Sequence, residues 1–484
     1  MTSLKLYALI ALLLYFAGLL LVVAKEKKNR NVLDFFFGGR TLPFWALSIT
    51  FIASWWGAGS AISTADLAYA DGLGAFWYYG VPVLISTFLM ILGAKGIRRV
   101  GYLTQGEMMR ARYSAGSARL LSVMILIFMT FTAASQMVGI GDFFGSYLGL
   151  SYQTAVWAGT GIVLIYSLFG GFRGVVLTDI VQFVLLLFSA VAVFMVGMDR
   201  AGGLEGIRNA AAAVGKTDYL DFGAGAAKYM IYVITFGCAW MIQANVWQRI
   251  SATRSDRDAH KMTVLSFFVY IPLYLMVVLT GMAGLALYRT LPDGGVVTAL
   301  VRQEMSPLLG ALVFVGISAA IMSTMDSLIN TGAMTLSMDL FPRRENEEKN
   351  IFYSQLSTLA VTAVALLIAL RIRSILEISW LASDVITTGV FIPLVAGFVW
   401  RRGNAAGAMA SMVAGLLYCS YNLLISLGLG LPTFWTPHST EQVLLGIVLS
   451  AIVYVLFSLL TPPQFEQADS FISAAALLPK RKRE

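Results

Sequence analysis

Charge is what this chain has little of. Only 12% of its 484 residues are Asp, Glu, Lys or Arg, while 58% are hydrophobic. A soluble domain carries roughly 25% charged residues, so an ordinary water-soluble globular protein is excluded. Cysteine is nearly absent as well. Cys238 and Cys419 stand alone in apolar surroundings, which excludes a disulfide framework and a cysteine metal site. The two histidines are equally isolated, His260 in an expected inner loop and His438 in an outer one. Without a Cys/His cluster, a glycine-rich phosphate loop or a nucleophile–base set, the sequence gives enzymatic chemistry nothing to rest on, and it implies no organic cofactor.

What it does contain is hydrophobicity in long runs. About 13 segments are long enough to cross a bilayer: 4–24, 44–70, 75–97, 119–147, 152–170, 174–198, 226–249, 262–288, 306–337, 352–370, 376–400, 404–428 and 441–461. They exceed strand length and lack the alternation of a barrel, so the fold class is an all-α polytopic membrane protein. Segment 4–24 reads as a retained first span, because Lys25, Lys27 and Lys28 follow its apolar run instead of preceding it.

Placing residue 1 outside puts roughly 25 of the 34 basic residues on the inner side. That count takes in Arg30, Arg112, Arg249, Arg343, Arg344, Arg401, Arg402 and the run Lys480, Arg481, Lys482 and Arg483. The predicted topology is therefore amino terminus outside and carboxyl terminus cytoplasmic, in a cell (inner) membrane. The net charge of +8 reports that topology and contact with anionic lipid. Nucleic acid is not an expected partner, because the basic residues are spread over many loops.

One transmembrane domain, 1–461, is expected, followed by a short basic tail, 462–484. The outer loops near 199–225 and 289–305 are too short for folded domains. Spans two to eleven divide into two sets of five, with core repeats about 42–200 and 226–402. Such a division fits an inverted five-plus-five repeat whose first helix is broken. "FIASWWGAGSAIS" (51–63) supplies the break: Gly57 and Gly59 lie mid-span beside Ser54, Ser60 and Ser63, and glycine costs roughly 1 kcal/mol in a helix interior.

Polar groups at depth carry the functional signal. "IMSTMDSLINTG" (321–332) sets Ser323, Thr324, Asp326 and Ser327 inside an apolar span, and "VVLTDIVQF" (175–183) adds Asp179. A carboxylate at membrane depth costs several kcal/mol and normally faces a cavity or a partner. Ser323, Asp326 and Ser327 share one helix face by i, i+3 and i, i+4 spacing. Hydroxyls, carbonyls and a carboxylate are the ligands of a hard cation.

At these residues the chain resembles the sodium/solute symporters, whose members carry sugars, proline, pantothenate, sialic acid, choline and monocarboxylates. "LTQGEMMRARY" (103–113), "QANVWQRISA" (243–252), "AAIMSTMDS" (319–327) and "FIPLVAGFVWRRGNAAGA" (391–408) resemble family segments. "SYQTAVWAG" (151–159) and "GGFRGVVLTDIVQ" (170–182) are similar to the bacterial proline permeases. The resemblance implies a sodium site made of the Ala53, Trp56 and Ala320 carbonyls and the Ser323 and Thr324 hydroxyls. It implies a possible second cation site at Asp179, Ser323, Asp326 and Ser327. Asp326 departs from members that have serine there, so it strengthens cation binding or holds a proton instead. A solute pocket is implied at Trp55, Ser60, Trp240, Gln243 and Trp380, with free amides near Gly57–Ser60 available to a carboxylate. Trp55 and Trp56 resemble the tryptophan of choline-type members, but Thr132 and Gln243 replace other aromatics of such a cage.

The resulting expectation is a sodium-coupled symporter that imports a small organic solute, an amino acid such as proline or a monocarboxylate, by alternating access. Its partners are the solute, sodium ions and lipid. A proton-coupled transporter of the same fold and a sodium-linked sensor are the rivals, and the short tail argues against the sensor.

Overall fold

The computed structural model describes residues 3–24, 31–341, 345–426 and 431–477. The basic residues Lys25, Lys27, Lys28, Arg30, Arg343, Arg344, Lys480, Arg481, Lys482 and Arg483 lie outside the described residues.

The chain opens with α1 (Ser3–Ala24), whose buried residues Ala8, Leu12, Tyr15, Leu19 and Val23 form one stripe three or four residues apart. That stripe seats it on the interior. Next come α2 (Phe44–Ala53), α3 (Thr64–Asp71), α4 (Phe76–Arg99), α5 (Ala115–Leu148) and α6 (Tyr152–Arg200). The second half holds α7 (Ala226–Met241), α8 (Ala244–Ala252), α9 (Asp256–Leu287), α10 (Pro307–Met334), α11 (Glu347–Arg371) and α12 (Ile375–Gly389). Two further helices, α13 (Ala405–Ser426) and α14 (Thr440–Leu460), pack on each other and on α12.

Ten helical stretches among the described residues are long and apolar enough to cross a bilayer, or up to twelve if each of two bent pairs is one span. Twelve of the thirteen expected segments fall on these stretches, several of them joined, and 152–170 falls on a helix outside them. The segment 44–70 is interrupted, and its second half runs into 75–97 through one 3-10 turn at Gly72–Ala75. The segments 152–170 and 174–198 join as α6. At a rise of about 1.5 Å per residue, its 49 residues are more than twice a bilayer's hydrocarbon thickness. Gly171 divides them, with φ 52° and ψ −163°, a backbone conformation open only to glycine.

α10 is the axis of the molecule. Every residue from Val313 to Met334 is buried. It packs against α6, α5, α1 and α11. A helix apolar on all sides belongs in the interior, so the hydroxyls and the acid it carries are committed to neighbours inside the protein.

Candidate cation and solute site

The site begins where α2 stops. Beyond Ala53 the amide hydrogen bonds tighten to short turns, Trp55 to the Ile52 carbonyl (3.2 Å) and Trp56 to the Ala53 carbonyl (3.3 Å). The chain resumes at Gly59–Ser63 as a π-helical turn, a form frequent at functional sites. Gly57 makes the gap possible: a Cβ there would stand 2.1 Å from Gln136 Oε1 and 3.1 Å from Thr324 Cγ2.

α10 faces this gap. The Thr324 hydroxyl donates to the Ala53 carbonyl at 3.0 Å and lies 3.4 Å from the Ala320 carbonyl. Trp56 and Ala320 line one cavity together. The Ser323 hydroxyl donates to Asp179 Oδ1. Its only proton is then committed to the acid, and its lone pairs are left for a cation. The five residues expected at the sodium site therefore sit on two facing segments, with carbonyl and hydroxyl oxygens between them.

The expected second cation set is divided. Asp179 accepts from Ser323 on one oxygen and from Thr50 on the other. The Arg249 guanidinium lies 3.8 Å from its Oδ2, with both side chains 1% exposed or less. At an effective dielectric of about 20, two unit charges at this separation attract by roughly 4 kcal/mol. Burying the two ions costs several kcal/mol each, so hydrogen bonds must offset the rest. Arg249 Nη2 donates to Ser327 Oγ at 2.6 Å and to Thr50 Oγ1 at 3.2 Å, and Nη1 donates to the Asn245 carbonyl at 2.8 Å. Ser54 Oγ lies 3.2 Å from Ser327 Oγ. Asp326 is not part of this group. Its Oδ1 accepts from Ser167 of α6, and its Oδ2 has no partner among the described residues. Asp326 meets Ser167 in the first half of α6, whereas Ser323 meets Asp179 in its second half and Ser327 lies beside Ser54 and Arg249.

Beside the break lies a small cavity lined by Ser54, Trp55, Gly57, Tyr79, Thr132, Gln136, Trp240, Gln243 and Thr324. Every lining side chain is uncharged. Three of the five expected pocket residues meet here, and Trp55 Nε1 donates to Gln243 Oε1. Gln243 caps α8 across a second helix break, between α7 and α8. Ser60 is turned away, donating to the Trp55 carbonyl at 2.9 Å and meeting the Tyr274 hydroxyl at 2.8 Å. Trp380 lies elsewhere: it packs with Ile231 and Val443 and its ring stands 4.6 Å from that of His438. Nor is the Ala58 amide free for a solute carboxylate, because it donates to Gln136 Oε1 at 2.8 Å.

Sequence reasoning missed several polar residues. Arg249 and Arg112 were counted as inner-side charges, yet both are buried. Arg112 donates to the carbonyls of Gly397 (2.9 Å), Trp400 (2.8 Å) and Gly403 (3.0 Å). Asp384, in "SWLASDVITTG" (379–389), is a third acid at depth, and the rule that singled out Asp179 and Asp326 finds it too. It lies 3.2 Å from Cys419 Sγ, so that cysteine is not isolated.

Comparison with known proteins finds relatives over most of the chain. The model of the sodium:solute symporter family matches residues 35–415. A sodium/pantothenate symporter of Haemophilus influenzae is 25% identical over 96% of this chain and 98% of its own. A high-affinity proline transporter of Bacillus subtilis is 28% identical over 80% of this chain and 86% of its own. Among solved structures, a sodium-coupled sialic acid symporter in a substrate-bound outward-open state superposes with a TM-score of 0.76 at 19% identity, over 94% of this chain and 98% of its own.

Proposed function

The chain belongs to the sodium:solute symporter family, and we propose that it takes up a small amino acid of the proline type with one site for sodium at the broken helix. It is a multi-pass transporter that couples solute movement to sodium. The proposed sodium ligands are the carbonyls of Ala53, Trp56 and Ala320 and the hydroxyls of Ser323 and Thr324. The observation that carries this reading is the Thr324 hydroxyl, which bonds the Ala53 carbonyl at the break and also borders the cavity. A sodium ion there would order the break and one wall of the solute cavity together.

The cavity's lining supports the solute class. Trp55, Tyr79 and Trp240 offer apolar faces to a small ring or aliphatic body, and Gln243, Thr132 and Ser54 offer hydrogen bonds. A solute of zero net charge suits an uncharged lining, since a bare ion would enter without a counter-charge. That favours a zwitterionic amino acid over a monocarboxylate. The two relatives named above are sodium/pantothenate and proline transporters, which supports an organic acid or amino acid. The proposed orientation is amino terminus outside, in the cytoplasmic membrane of a bacterium, with sodium and solute moving inward.

Reconstituted liposomes on a solid-supported membrane test the reading. Amino acids, monocarboxylates, choline and sugars are added with sodium, and then without it at two pH values. The expected result is a sodium-dependent current for proline or a close relative, lost in Ser323→Ala with Thr324→Ala. A current that persists without sodium and follows the proton gradient would move coupling to protons and refute the sodium assignment.

A further inference from the structure

The solute cavity has a polarity that its uncharged lining hides. We propose that Gln136 reads the solute's carboxylate: the helix break holds the oxygen of its side-chain amide, so that it and Gln243 meet the solute only as N–H donors. The inference rests on the solute reading above and names the group the cavity selects.

Two glycines bring Gln136 to the break. Gly139, three residues further along α5, lets that helix close on the stretch after the break: a Cβ there would stand 2.3 Å from Ala58 Cβ. Gly57 leaves room for the glutamine tip, since a Cβ there would stand 2.1 Å from Gln136 Oε1. Amides at the start of a helix have no partner within it, and the Ala58 amide donates to Gln136 Oε1 at 2.8 Å. The nitrogen is fixed as well. Ser135 Oγ donates to the Thr132 carbonyl at 2.7 Å, so its lone pairs are left to accept from Gln136 Nε2 at 3.2 Å. An oxygen facing a donor and a nitrogen facing an acceptor leave the amide one orientation. One N–H of Gln136 then remains for the cavity it borders.

Gln243 is held by the same logic at the other helix break. Its Oε1 accepts from Trp55 Nε1, and its Nε2 has no partner among the described residues. Both glutamine oxygens thus accept from the stretch 54–58, which polarises the amides and strengthens what their nitrogens donate. In the same cavity the Thr132 hydroxyl spends its proton on the Phe128 carbonyl at 2.7 Å and presents lone pairs. Donors at the glutamines suit a carboxylate, and an acceptor at Thr132 suits the ammonium of an α-amino acid. The carboxylate gives each N–H a charge-assisted partner. A quaternary ammonium offers no acceptor and would leave both N–H groups unpaired at a buried site, which is costly.

Paired acids and amides test the inference in proteoliposomes with sodium. Uptake of radiolabelled proline is competed with unlabelled proline and prolinamide, or lactate with lactate and lactamide where lactate is the acid carried. The wild-type chain is expected to need about tenfold more amide than acid, or above, for half-inhibition. Gln136→Leu should need about tenfold more acid than wild type, and the ratio of amide to acid should fall by that factor. Gln136→Glu keeps an acceptor for the Ala58 amide but replaces the donor with a charge, so it should reject the acid and take up radiolabelled prolinamide. A wild-type chain that accepts amide as readily as acid would overturn the proposal, and this measurement needs no variant to fold. A Gln136→Leu chain that keeps the wild-type ratio while its maximal rate falls would overturn it as well, because a purely structural role predicts that result. Failure of the amino-acid reading looks different. Lactate would be carried and lactamide excluded, and Gln136→Leu would shrink that exclusion, so the inference would stand without the amino acid. Uptake of choline or a sugar in place of any acid would sink both.

Discussion

Removing one hydroxyl without changing shape is the sharpest test of the cation set. Thr324→Val keeps the branched side chain, and so keeps the wall of the solute cavity and the packing of α10. It deletes the oxygen that donates to the Ala53 carbonyl at 3.0 Å. Two losses follow. The buried Ala53 carbonyl loses a partner, and an ion between α2 and α10 loses a ligand. Removing one polar contact to a charged group costs about 1–3 kcal/mol. At about 1.4 kcal/mol per decade, sodium binding should weaken roughly 5- to 150-fold. Thr324→Ser retains the hydroxyl and should stay within a few-fold of wild type, although it loses a methyl. The assay is the sodium concentration for half-maximal solute uptake in proteoliposomes at fixed internal sodium. The reasoning fails if valine and serine variants share the wild-type value, or if serine is the worse of the two.

The remaining predictions concern the break, the cavity and the inner end of the bundle. Gly57→Ala puts a methyl 2.1 Å from Gln136 Oε1, so Gln136 must release the Ala58 amide; uptake should fall at least tenfold, and Gln136→Ala in the same chain should recover part of it. Trp240→Ala should raise the solute concentration for half-maximal uptake, whereas Trp380→Ala, outside the cavity, should lower melting temperature and leave that concentration near wild type. Arg112→Gln should lower melting temperature far more than Arg401→Gln does. The first strips partners from three carbonyls around a buried guanidinium. The second breaks an exposed pair with Asp469, of a kind worth about 0–1 kcal/mol. Equal shifts in the two variants would contradict the burial argument.

Much of this was legible in the sequence because it depends on local composition. Span length and hydropathy locate the helices, since bilayer thickness sets a threshold that a run of residues either meets or misses. Gly57 and Gly59 among serines mark the break, and Ser323, Thr324 and Asp179 mark polar depth. What failed was whatever depended on helix rotation or on a partner far along the chain. Asp326 and Ser327 are neighbours in sequence, but the roughly 100° between successive helix residues sends one to Ser167 of α6 and the other to Ser54 and Arg249, and Ser167 lies 159 positions from Asp326. Trp380 has the right chemistry on the wrong face of α12. Arg249 was misread for a different reason. Counting every Lys and Arg near a span end as water-facing ignores that a guanidinium is long, weakly hydrated and well matched to a carboxylate, so it can be drawn inward. The Gln136–Ala58 bond was equally invisible, because an amide left free by a helix break can be satisfied by any neighbouring helix.

The geometry also says which part of the chain must carry coupling. Thr324 ties the stretch 54–58 to α10 through the Ala53 carbonyl, and Trp55 ties the same stretch to the α7–α8 break through Gln243. A cation between Ala53 and Thr324 acts where these five residues begin, and a solute against Trp55 and Gln243 acts two positions further on. Those residues have lost the regular helix ladder that fixes their neighbours, so they are the cheapest part of the site to reorganise. A ligand shifts an equilibrium only by its differential affinity for two states. Here both ligands read the state of the same stretch. If sodium raises solute affinity by some factor, solute must raise sodium affinity equally. Breaking the Trp55–Gln243 bond alone, as in Gln243→Leu, should therefore shrink both factors together while leaving sodium binding without solute close to wild type. A variant in which only one factor changed would mean that the two ligands communicate by another route.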